Sequence, residues 1–399
     1  MGMWMHGVSG DELPRARRLA ALADECVMCG LCLPHCPTFR LSGLESRSPR
    51  GRIALASGLA RGSGADTDAS VRDALESCLQ CRACESICPA QVRYGEIIES
   101  ARALLHQQVA ARKSPMERYA DHPRLTAMAM AIAGRVARVW PTLTRRLGRR
   151  ARWLLRAGTA IAAVPPTARA TILFTGCLSR AFDSEAQHAM LRVARTCGTD
   201  LRPNPDQTCC GAIARHVGSR ADADELNDRS RANWTANGTC EVVALDSGCI
   251  DALRRASTGA LQVTEGCRWL LDRRDDWTSG LRSLPMRVGL FAPCSHRNVV
   301  GDATAAAQLL QLLPGIEVVP ISPGFGCCGA AGPHLLAHPG QADALAEPIT
   351  AAIAGLNLDA VATTNIGCAL HLGERLALRG ITLPVRHPVA FLTDRLPLK

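Results

Sequence analysis

Two runs of four cysteines with identical spacing constrain this chain more than any other feature of its sequence. The first run is Cys26, Cys29, Cys32 and Cys36, followed by Pro37, and the second is Cys78, Cys81, Cys84 and Cys88, followed by Pro89. This C-x2-C-x2-C-x3-C-P spacing is typical of [4Fe–4S] ligands, because three closely spaced thiolates hold one face of the cube and the fourth comes from farther away. A zinc ribbon has C-x2-C pairs without the additional cysteines. The sequence therefore predicts two [4Fe–4S] clusters and an electron carrier.

The two runs are expected to exchange their fourth ligands. In two-cluster ferredoxins the fourth cysteine of each run ligates the other cluster. That arrangement places Cys26, Cys29, Cys32 and Cys88 on cluster 1, and Cys78, Cys81, Cys84 and Cys36 on cluster 2. Between the runs, the segments SPRGRIALASGLARG and DTDASVRDALESC have helical patterns. We therefore predict an α-helical ferredoxin domain over residues 1–110.

Length and cysteine usage favour a cytoplasmic protein of several domains. The chain has 399 residues, enough for two or three domains with their own cores. Its start, MGMWMHGVSGDELPRARR, has no apolar run followed by a cleavage site, so its 19 cysteines indicate a reducing compartment. Because no uninterrupted apolar stretch reaches about 18 residues, no transmembrane helix is expected.

A basic segment follows the cysteine runs. Residues 134–156 contain eight arginines and no acidic residue, inside a predicted basic helical linker over residues 111–168. Apolar residues recur there at three- and four-residue steps, which suits the surface of an anionic membrane. The alternative is a linker helix packed on its own protein, with its arginines in water. Nucleic acid is not expected as a partner, because few aromatic residues are available to stack on bases.

The rest of the chain is an internal duplication. The matching positions in the first repeat are Cys177, Cys209, Cys210, Gly211, His216 and Cys249, and those in the second are Cys294, Cys327, Cys328, Gly329, His334 and Cys368. The offsets between them are 117 to 119 residues, a register that chance would not hold. VTEGCRWLLDR and VRHPVAFLTDR match near the two ends. We predict two homologous domains, over residues 169–276 and 284–399.

Each repeat alternates short apolar runs with helical patterns. TILFTGCL, EVVALDSGC and MRVGLFAPC read as buried strands, whereas SEAQHAMLRVARTCG and AAAQLLQLLPG read as helices. Such alternation predicts an α/β fold with a parallel sheet covered on both faces. Four of the repeated cysteines follow predicted strands, at the edge where α/β sheets bind ligands. The eight cysteines are thus candidate ligands of further iron–sulfur or zinc centres, or redox-active thiols.

This C…CCG…C arrangement resembles the cysteine-rich CCG domain of heterodisulfide reductases and several iron–sulfur oxidoreductase subunits. In the fullest form of that motif the last element is C-x2-C. Here Asp246 and Asn365 stand three residues before Cys249 and Cys368, where the additional cysteine would fall. Four thiols per site do not favour a noncubane double cluster, but they suit an ordinary [4Fe–4S] cluster or a zinc ion.

Other histidines and cysteines carry weaker signals. His216 and His334 each fall six residues after the second cysteine of their pair, which is compatible with a ligand, a proton-handling group or a packed residue. His371 has no counterpart in the first repeat. Cys197, Cys240 and Cys267 lack partners in the other repeat and are interpreted as buried small apolar residues.

Over nearly its whole length the chain resembles the iron–sulfur subunit of bacterial glycolate oxidase. The resemblance is carried by CVMCGLCLPHCPTFR, SPRGRIAL, CLQCRACESICP, TCCGAIARHVG, FGCCGAAG and TTNIGCALHL. FAPCSHRN departs from it, with Ala292 and Ser295 where relatives tend to carry Asp and His.

The resemblance implies an electron-transfer role within a complex. A flavin subunit, holding FAD, would oxidise glycolate to glyoxylate, and this chain would pass the electrons to a membrane quinone or another acceptor. Peripheral association with the inner face of the cytoplasmic membrane would follow from that role. A lactate or glycerol-3-phosphate dehydrogenase partner is an alternative, as is a heterodisulfide reductase-like thiol-disulfide reductase. A structural zinc scaffold is a third reading.

Overall fold

The computed structural model describes residues 12–62, 68–107, 123–139, 153, 156–158, 161–162, 171–204, 206–321 and 324–397. The first part of the chain is entirely helical where it is described. Its helices are Glu12–Asp24, Pro37–Ser42, Pro49–Ala60, Ala69–Glu76, Ala83–Ser86 and Tyr94–Gln107, with short 3₁₀ helices at Leu33–His35 and Glu45–Arg47. The predicted α-helical ferredoxin architecture is confirmed, including the helices inserted between the two cysteine runs.

A small apolar core holds these helices together. The longer helices bury Leu19, Ile53, Leu75 and Ile97 against one another, and Cys78 and Cys84 lie at the edge of the same core. Because the core ends at the cysteines, the loops that carry the two runs are anchored on one rigid helical unit.

A further helix, Pro123–Val139, follows this unit. Most of the basic segment 134–156 lies outside the described residues. Arg156, the last residue of that segment, is half-buried, and its guanidinium donates to the carbonyl oxygens of Ala369 (2.7 Å) and Val385. This arginine is therefore bound to the second sheet domain. Of the described helices, none is long and apolar enough to cross a membrane.

The next unit is a four-stranded parallel sheet with helices on its faces. Its strands are β1 (Thr171–Phe174), β2 (Leu201–Pro203), β3 (Glu241–Ala244) and β4 (Gln262–Glu265), in the order β2-β1-β3-β4. Its helices are Leu178–Phe182, Ser184–Thr196, Ala212–Val217, Arg220–Ala236, Ile250–Ala256, Gly266–Leu271 and Arg274–Trp277. β1 and β3 are almost wholly buried, as expected for central strands of a parallel sheet.

The last unit repeats this design. Its strands are β5 (Met286–Leu290), β6 (Ile316–Pro320), β7 (Ala360–Ala362) and β8 (Val385–Arg386), in the order β6-β5-β7-β8. Its helices are Ala305–Gln311, His334–Ala337, Pro339–Ala354 and Ile366–Leu378, with a π-helical turn at His296–Val300 and a 3₁₀ helix at Pro388–Leu392. The identical strand order in both sheets agrees with the internal duplication read from the sequence.

One continuous apolar core joins the two sheet domains. It combines Leu173 and Trp269 from the first with Leu309 and Phe391 from the second, all fully or almost fully buried. Since a shared core of this kind resists separation, the two repeats form a single body that fixes the relative position of their cysteines.

Candidate functional site

The first cysteine run lies in a loop at the surface of the helical unit. Cys26, Cys29 and Cys32 line one cavity together with Cys84 and Cys88 from the second run. Cys29 is exposed, as are its apolar neighbours Val27 and Leu31. The first site is thus open to solvent and is surrounded by exposed apolar side chains.

The second cysteine run forms a more enclosed site. Cys78, Cys81 and Cys84 line a cavity with Cys36, the fourth cysteine of the first run. Cys84 also faces the first cavity, so the two sites adjoin. Each cavity thus contains the first three cysteines of one run and the last cysteine of the other, and the exchange of fourth ligands stays a prediction.

The two loops share a backbone conformation that explains their common spacing. Met28 and Gly30 have φ of 57° and 83°, and the equivalent Gln80 and Arg82 have φ of 49° and 54°. Left-handed residues two and four places after the first cysteine turn the chain back on itself, so that three thiols point into one cavity. Three of the four carry a side chain in this costly conformation, as is common at functional sites.

The SPRGRIAL segment positions both sites. Ser48 caps helix Pro49–Ala60 by accepting from the N–H of Gly51 (3.0 Å). A side chain on Gly51 would overlap the carbonyl of Glu45, so only glycine fits there. Arg50 pairs with Glu45 (2.7 Å) and donates to the carbonyl of Met28 in the first cysteine loop (3.1 Å). The motif therefore connects the loop of the first cysteine run to helix Pro49–Ala60, which lies between the two runs in the chain.

Two buried guanidinium groups border the second site. Arg52 is 1% exposed and Arg102 is 3% exposed. Burial alone would raise the pKa of the Cys78 thiol, but the charges of Arg52 and Arg102, together with hydrogen bonds from Tyr94 and the backbone of Gln80, lower that pKa. Burial raises the pKa of Cys81 and Cys84 in the same site, so the arginine charges favour the thiolate form at Cys78.

The first sheet domain gathers its four repeated cysteines at the carboxyl ends of its strands. Cys177 lies 3.7 Å from Cys209, and Cys210 lies 3.2 Å from Cys249 (Sγ to Sγ). Gly211, with φ of 80°, closes the turn after the CC pair and lies against the backbone of Ala223. Hydrogen bonds from the Cys177 and Cys210 thiols lower the pKa of Cys209 well below its ordinary value.

The second sheet domain reproduces this arrangement. Cys294 lies 3.8 Å from Cys327, and Cys328 lies 2.8 Å from Cys368. Gly329 has φ of 81° and packs on the backbone of Ala342. Each domain therefore holds four thiols in one group, a donor set suited to a tetrahedral metal or a cluster.

The two thiol groups open into one cavity. It has a volume of about 200 Å³ and lies between both sheet domains and the helical unit. Its cysteines are Cys177, Cys210, Cys249, Cys294, Cys327, Cys328 and Cys368. Leu79 and Gln80, from the second ferredoxin loop, form part of its wall. This shared cavity could not be predicted from the sequence, because it depends on the packing of three domains.

Asp246 and Asn365, which stand where longer CCG motifs have a cysteine, also line this cavity. Asp246 accepts from the N–H of Gly248 (2.9 Å), and Asn365 accepts from the N–H of Cys368 (3.1 Å). Burial raises the pKa of Asp246 to about 6, although backbone hydrogen bonds oppose that shift. Both residues hold the turn that presents the last cysteine of their repeat.

The two repeated histidines have different surroundings. His216 lines the shared cavity, and burial lowers its pKa well below the usual range. Nε2 of His334 lies 3.0 Å from Oε1 of Gln341, and its Nδ1 faces the carbonyl of Gly329 at 3.2 Å. His371 is buried beside Asp343 at 3.3 Å. Of the three histidines, His216 is the one placed on the cavity.

The unpaired cysteines only partly follow the sequence interpretation. Cys267 is fully buried, as predicted. The prediction was wrong for Cys240, which is exposed, and for Cys197, which is half-buried. Cys240 directly precedes β3 at the amino-terminal end of its sheet, where the domain core does not cover it.

Sequence reasoning missed a second group of metal-ligating side chains. Glu265, Cys267 and His387 are buried between the sheet domains with donor atoms within 4.8 Å of one another. Both ring nitrogens of His387 are engaged, one with the carbonyl of Leu245 (3.0 Å) and one with the N–H of Val389 (3.2 Å). The group therefore acts as a hydrogen-bonded joint between the domains. Its signal was present in the sequence, because Glu265 and His387 align in the two matching end segments.

We expect this joint to make stability depend on pH. Burial raises the pKa of Glu265 to about 7, above its ordinary value of 4.5. The folded state binds this proton more tightly than the unfolded state does. The protonated carboxyl therefore contributes fully to the free energy of unfolding below pH 4.5, and that contribution of about 3 kcal/mol is lost as the pH rises through 7. Glu265→Gln should lack this loss and gain stability relative to the unchanged protein between pH 5 and pH 8. Thermal unfolding at both pH values measures the difference, with exposed Glu225→Gln as the control. Equal pH dependence in all three proteins would contradict it.

Comparisons with known proteins agree with this architecture. The 4Fe-4S dicluster domain family matches residues 22–92, and the cysteine-rich domain family matches residues 171–254 and 288–373. The chain is 27% identical over 406 residues to the probable glycolate oxidase iron-sulfur subunit of Bacillus subtilis (strain 168), covering 90% of each chain. It is 26% identical over 381 residues to the glycolate oxidase iron-sulfur subunit of Escherichia coli (strain K12), covering 90% of this chain and 92% of the relative.

A shorter relative shares part of the chain. Lactate utilization protein A of Geobacillus sp. (strain WCH70) is 23% identical over 237 residues, which cover 56% of this chain and 98% of the relative. Together these findings confirm the resemblance read from the sequence. They also support an iron–sulfur protein that transfers electrons as a component of an oxidoreductase.

Proposed function

We propose that this chain, a homologue of the glycolate oxidase iron–sulfur subunits, carries electrons from a flavin-containing subunit that oxidises glycolate to glyoxylate. Similarity to two such subunits along about nine-tenths of each chain is the observation that carries the proposal. The chain itself offers thiol sites and no recognisable flavin site in its sequence, so the FAD and the oxidation of the substrate belong to the partner. The acceptor is a quinone or another electron carrier.

The ligands proposed for the two [4Fe–4S] clusters are the eight ferredoxin cysteines. Cluster 1 takes Cys26, Cys29, Cys32 and Cys88, and cluster 2 takes Cys78, Cys81, Cys84 and Cys36. Their grouping in two adjoining cavities and the charge of the buried arginines support this assignment. When bound, the clusters supply one-electron transfer, while the protein excludes water from the second site and leaves the first open to a partner.

The two CCG sites are proposed to hold further centres. The ligands are Cys177, Cys209, Cys210 and Cys249 in one domain, and Cys294, Cys327, Cys328 and Cys368 in the other. Four thiols within one group suit either a [4Fe–4S] cluster or a zinc ion. Their common cavity, next to the second ferredoxin loop, supports a role on the acceptor side.

The domain limits and the site of action are also proposed. The ferredoxin domain occupies residues 1–110, the basic linker 111–168, and the CCG domains 169–276 and 284–399. Contact with the inner face of the cytoplasmic membrane through 134–156 is supported by Met128, Ile132 and Val136, which are exposed at four-residue steps on helix Pro123–Val139, whose last residues belong to that segment. Such contact would bring the chain close to a quinone.

The substrate is tested on the native complex, purified without oxygen together with the subunits that accompany it. We expect glycolate to bleach the visible absorbance of the clusters. Lactate and glycerol-3-phosphate, added to parallel samples, should have little effect. If glycolate leaves the visible absorbance unchanged and lactate bleaches it, the proposed glycolate partner is wrong. The partner would then be a lactate dehydrogenase, which the similarity to lactate utilization protein A favours.

A thiol-disulfide reductase remains the more distant alternative. It would need a noncubane double cluster in the CCG domains, with all of its cysteine ligands present. Asp246 and Asn365 occupy the places of the additional cysteines and are engaged in backbone hydrogen bonds. Their arrangement therefore favours electron transfer over disulfide chemistry.

A further inference from the structure

The two ferredoxin sites differ in the charge that surrounds them. At the second site, Arg52 and Arg102 are buried, and among the described residues no carboxylate lies within ion-pair distance of either guanidinium, since Glu76 acts on Arg102 only from farther away. Burying a cation without an anionic partner is costly, because the charge loses its hydration. Their burial therefore calls for a negative charge close by.

The hydrogen-bond partners of both guanidinium groups are neutral. Arg52 donates to the carbonyl of Ala74 (2.6 Å) and to the hydroxyls of Thr38 (2.9 Å) and Ser77 (3.2 Å), and its Nη1 lies 4.0 Å from the Sγ of Cys36.

Arg102 donates to backbone carbonyls from both sides of the domain boundary. Its acceptors are the carbonyl oxygens of Leu75, Glu76 and Cys78, and that of His216 from the first sheet domain. These bonds fix the position of the guanidinium beside the second cysteine run. All of these acceptors are neutral carbonyl groups, and the carboxylate of Glu76 acts on the guanidinium only from beyond ion-pair distance.

The first site has no comparable charge among the described residues. The guanidinium nearest to its loop belongs to Arg50, which is half-exposed and paired with Glu45 at 2.7 Å. Solvent and the carboxylate both weaken its field. Within the part of the chain that the structure describes, the buried cations that would stabilise an added electron lie at the second site.

We propose that Arg52 and Arg102 are the counter-charges that raise the reduction potential of the second ferredoxin cluster above the value its buried site would otherwise give. The inference rests on the proposed function in that a cluster occupies Cys36, Cys78, Cys81 and Cys84. A cluster with four thiolates is anionic and becomes more so on reduction, so two fixed cations favour the reduced state. Electrons entering at the exposed first site then settle at the second.

The second site is also the one that meets the CCG domains. Cys81 packs in one apolar group with Cys294 and Cys327 of the second CCG site. The side-chain amide of Asn298 donates to the carbonyl of Cys81 (2.7 Å), which ties the cysteine loop to that domain. The two arginine charges thus raise the reduction potential of the ferredoxin cluster that adjoins the second CCG site.

The test is a redox titration of the purified full chain with chemical mediators, followed by electron paramagnetic resonance. The signals of the two clusters are assigned by their loss in Cys29→Ser and Cys81→Ser. Arg52→Gln and Arg102→Gln remove one charge each, Arg52→Lys keeps it, and Arg50→Gln is the control at the first site. Iron content is measured for every variant.

We expect each neutral variant to lower the midpoint potential of the second cluster, so that its reduced-to-oxidised ratio at a fixed potential falls about tenfold, or about 59 mV for one electron. The first cluster should not shift, and Arg52→Lys should retain most of the original potential. Unchanged potentials in neutral variants that keep their iron would overturn the inference.

An equal decrease in Arg52→Lys and Arg52→Gln would also overturn it, since hydrogen bonding and not charge would then be responsible. If the neutral variants lose the second cluster, the inference is decided by the midpoint potential of that cluster in Arg52→Lys. A potential close to that of the unchanged protein supports the inference, and a decrease of about 59 mV overturns it. No iron and no signal in the unchanged protein would instead refute the proposed function itself.

Discussion

Cys29→Ser and Cys81→Ser are each expected to remove about four irons per chain and to abolish electron transfer through the protein. Each substitution takes one thiolate from a different cavity, and a cubane cluster held by three cysteines is readily lost. Iron analysis and the visible absorbance of protein purified without oxygen measure the loss. Cys240→Ser, at an exposed cysteine outside both cavities, is the matched control and should keep all its iron.

The fourth ligands provide a sharper form of the same prediction. If they are exchanged between the runs, Cys36→Ser should remove the spectroscopic signal that Cys81→Ser removes, and Cys88→Ser the one that Cys29→Ser removes. The opposite pattern would mean that each run serves its own cluster. Iron and activity unchanged in all four variants would contradict the assignment of these cysteines as ligands.

The CCG cysteines are expected to be required for electron transfer from this chain to its acceptor. Cys210→Ser and Cys328→Ser should leave the ferredoxin iron in place but release the metal of their own domain, because each disrupts a group of four thiols. We expect turnover with a quinone analogue to fall about a hundredfold, the upper range seen when metal sites lose supporting residues. The spectra of the two ferredoxin clusters should not change.

Metal analysis by mass spectrometry identifies what these variants release. Loss of iron would indicate clusters in the CCG domains, and loss of zinc would indicate structural or thiolate-polarising ions. Cys197→Ser, in the first CCG domain but outside its thiol group, is the control. Metal content and turnover equal to those of the control would show that the CCG cysteines are neither ligands nor part of the acceptor site.

The architecture could be predicted largely from the spacing of cysteines. The two ferredoxin runs and the duplicated C…CCG…C pattern carry information over tens of residues, and β1, β3 and β5 are apolar runs that stand out. Two of the edge strands, β2 and β8, could not be recognised. β2 has three residues including Pro203, and β8 has only two, so neither produces a periodic signal.

The electrostatics of the site was beyond sequence reasoning for a different reason. Arginine is normally a surface residue, and nothing in the segment SPRGRIAL distinguishes the buried Arg52 from the half-exposed Arg50 two positions earlier. Arg102 is held by carbonyl oxygens of residues 24 to 27 positions earlier in the chain and by that of His216 in another domain. The common cavity of the two CCG sites likewise depends on how separate domains pack.

The most direct test of electron transfer through this chain is electron paramagnetic resonance on the complex, frozen after glycolate is added without oxygen. We predict that the signals of both reduced ferredoxin clusters appear and that Cys81→Ser removes one of them. If glycolate reduces the flavin of the partner while the clusters, iron-loaded and reducible by dithionite, give no signal, this chain is not on the electron path.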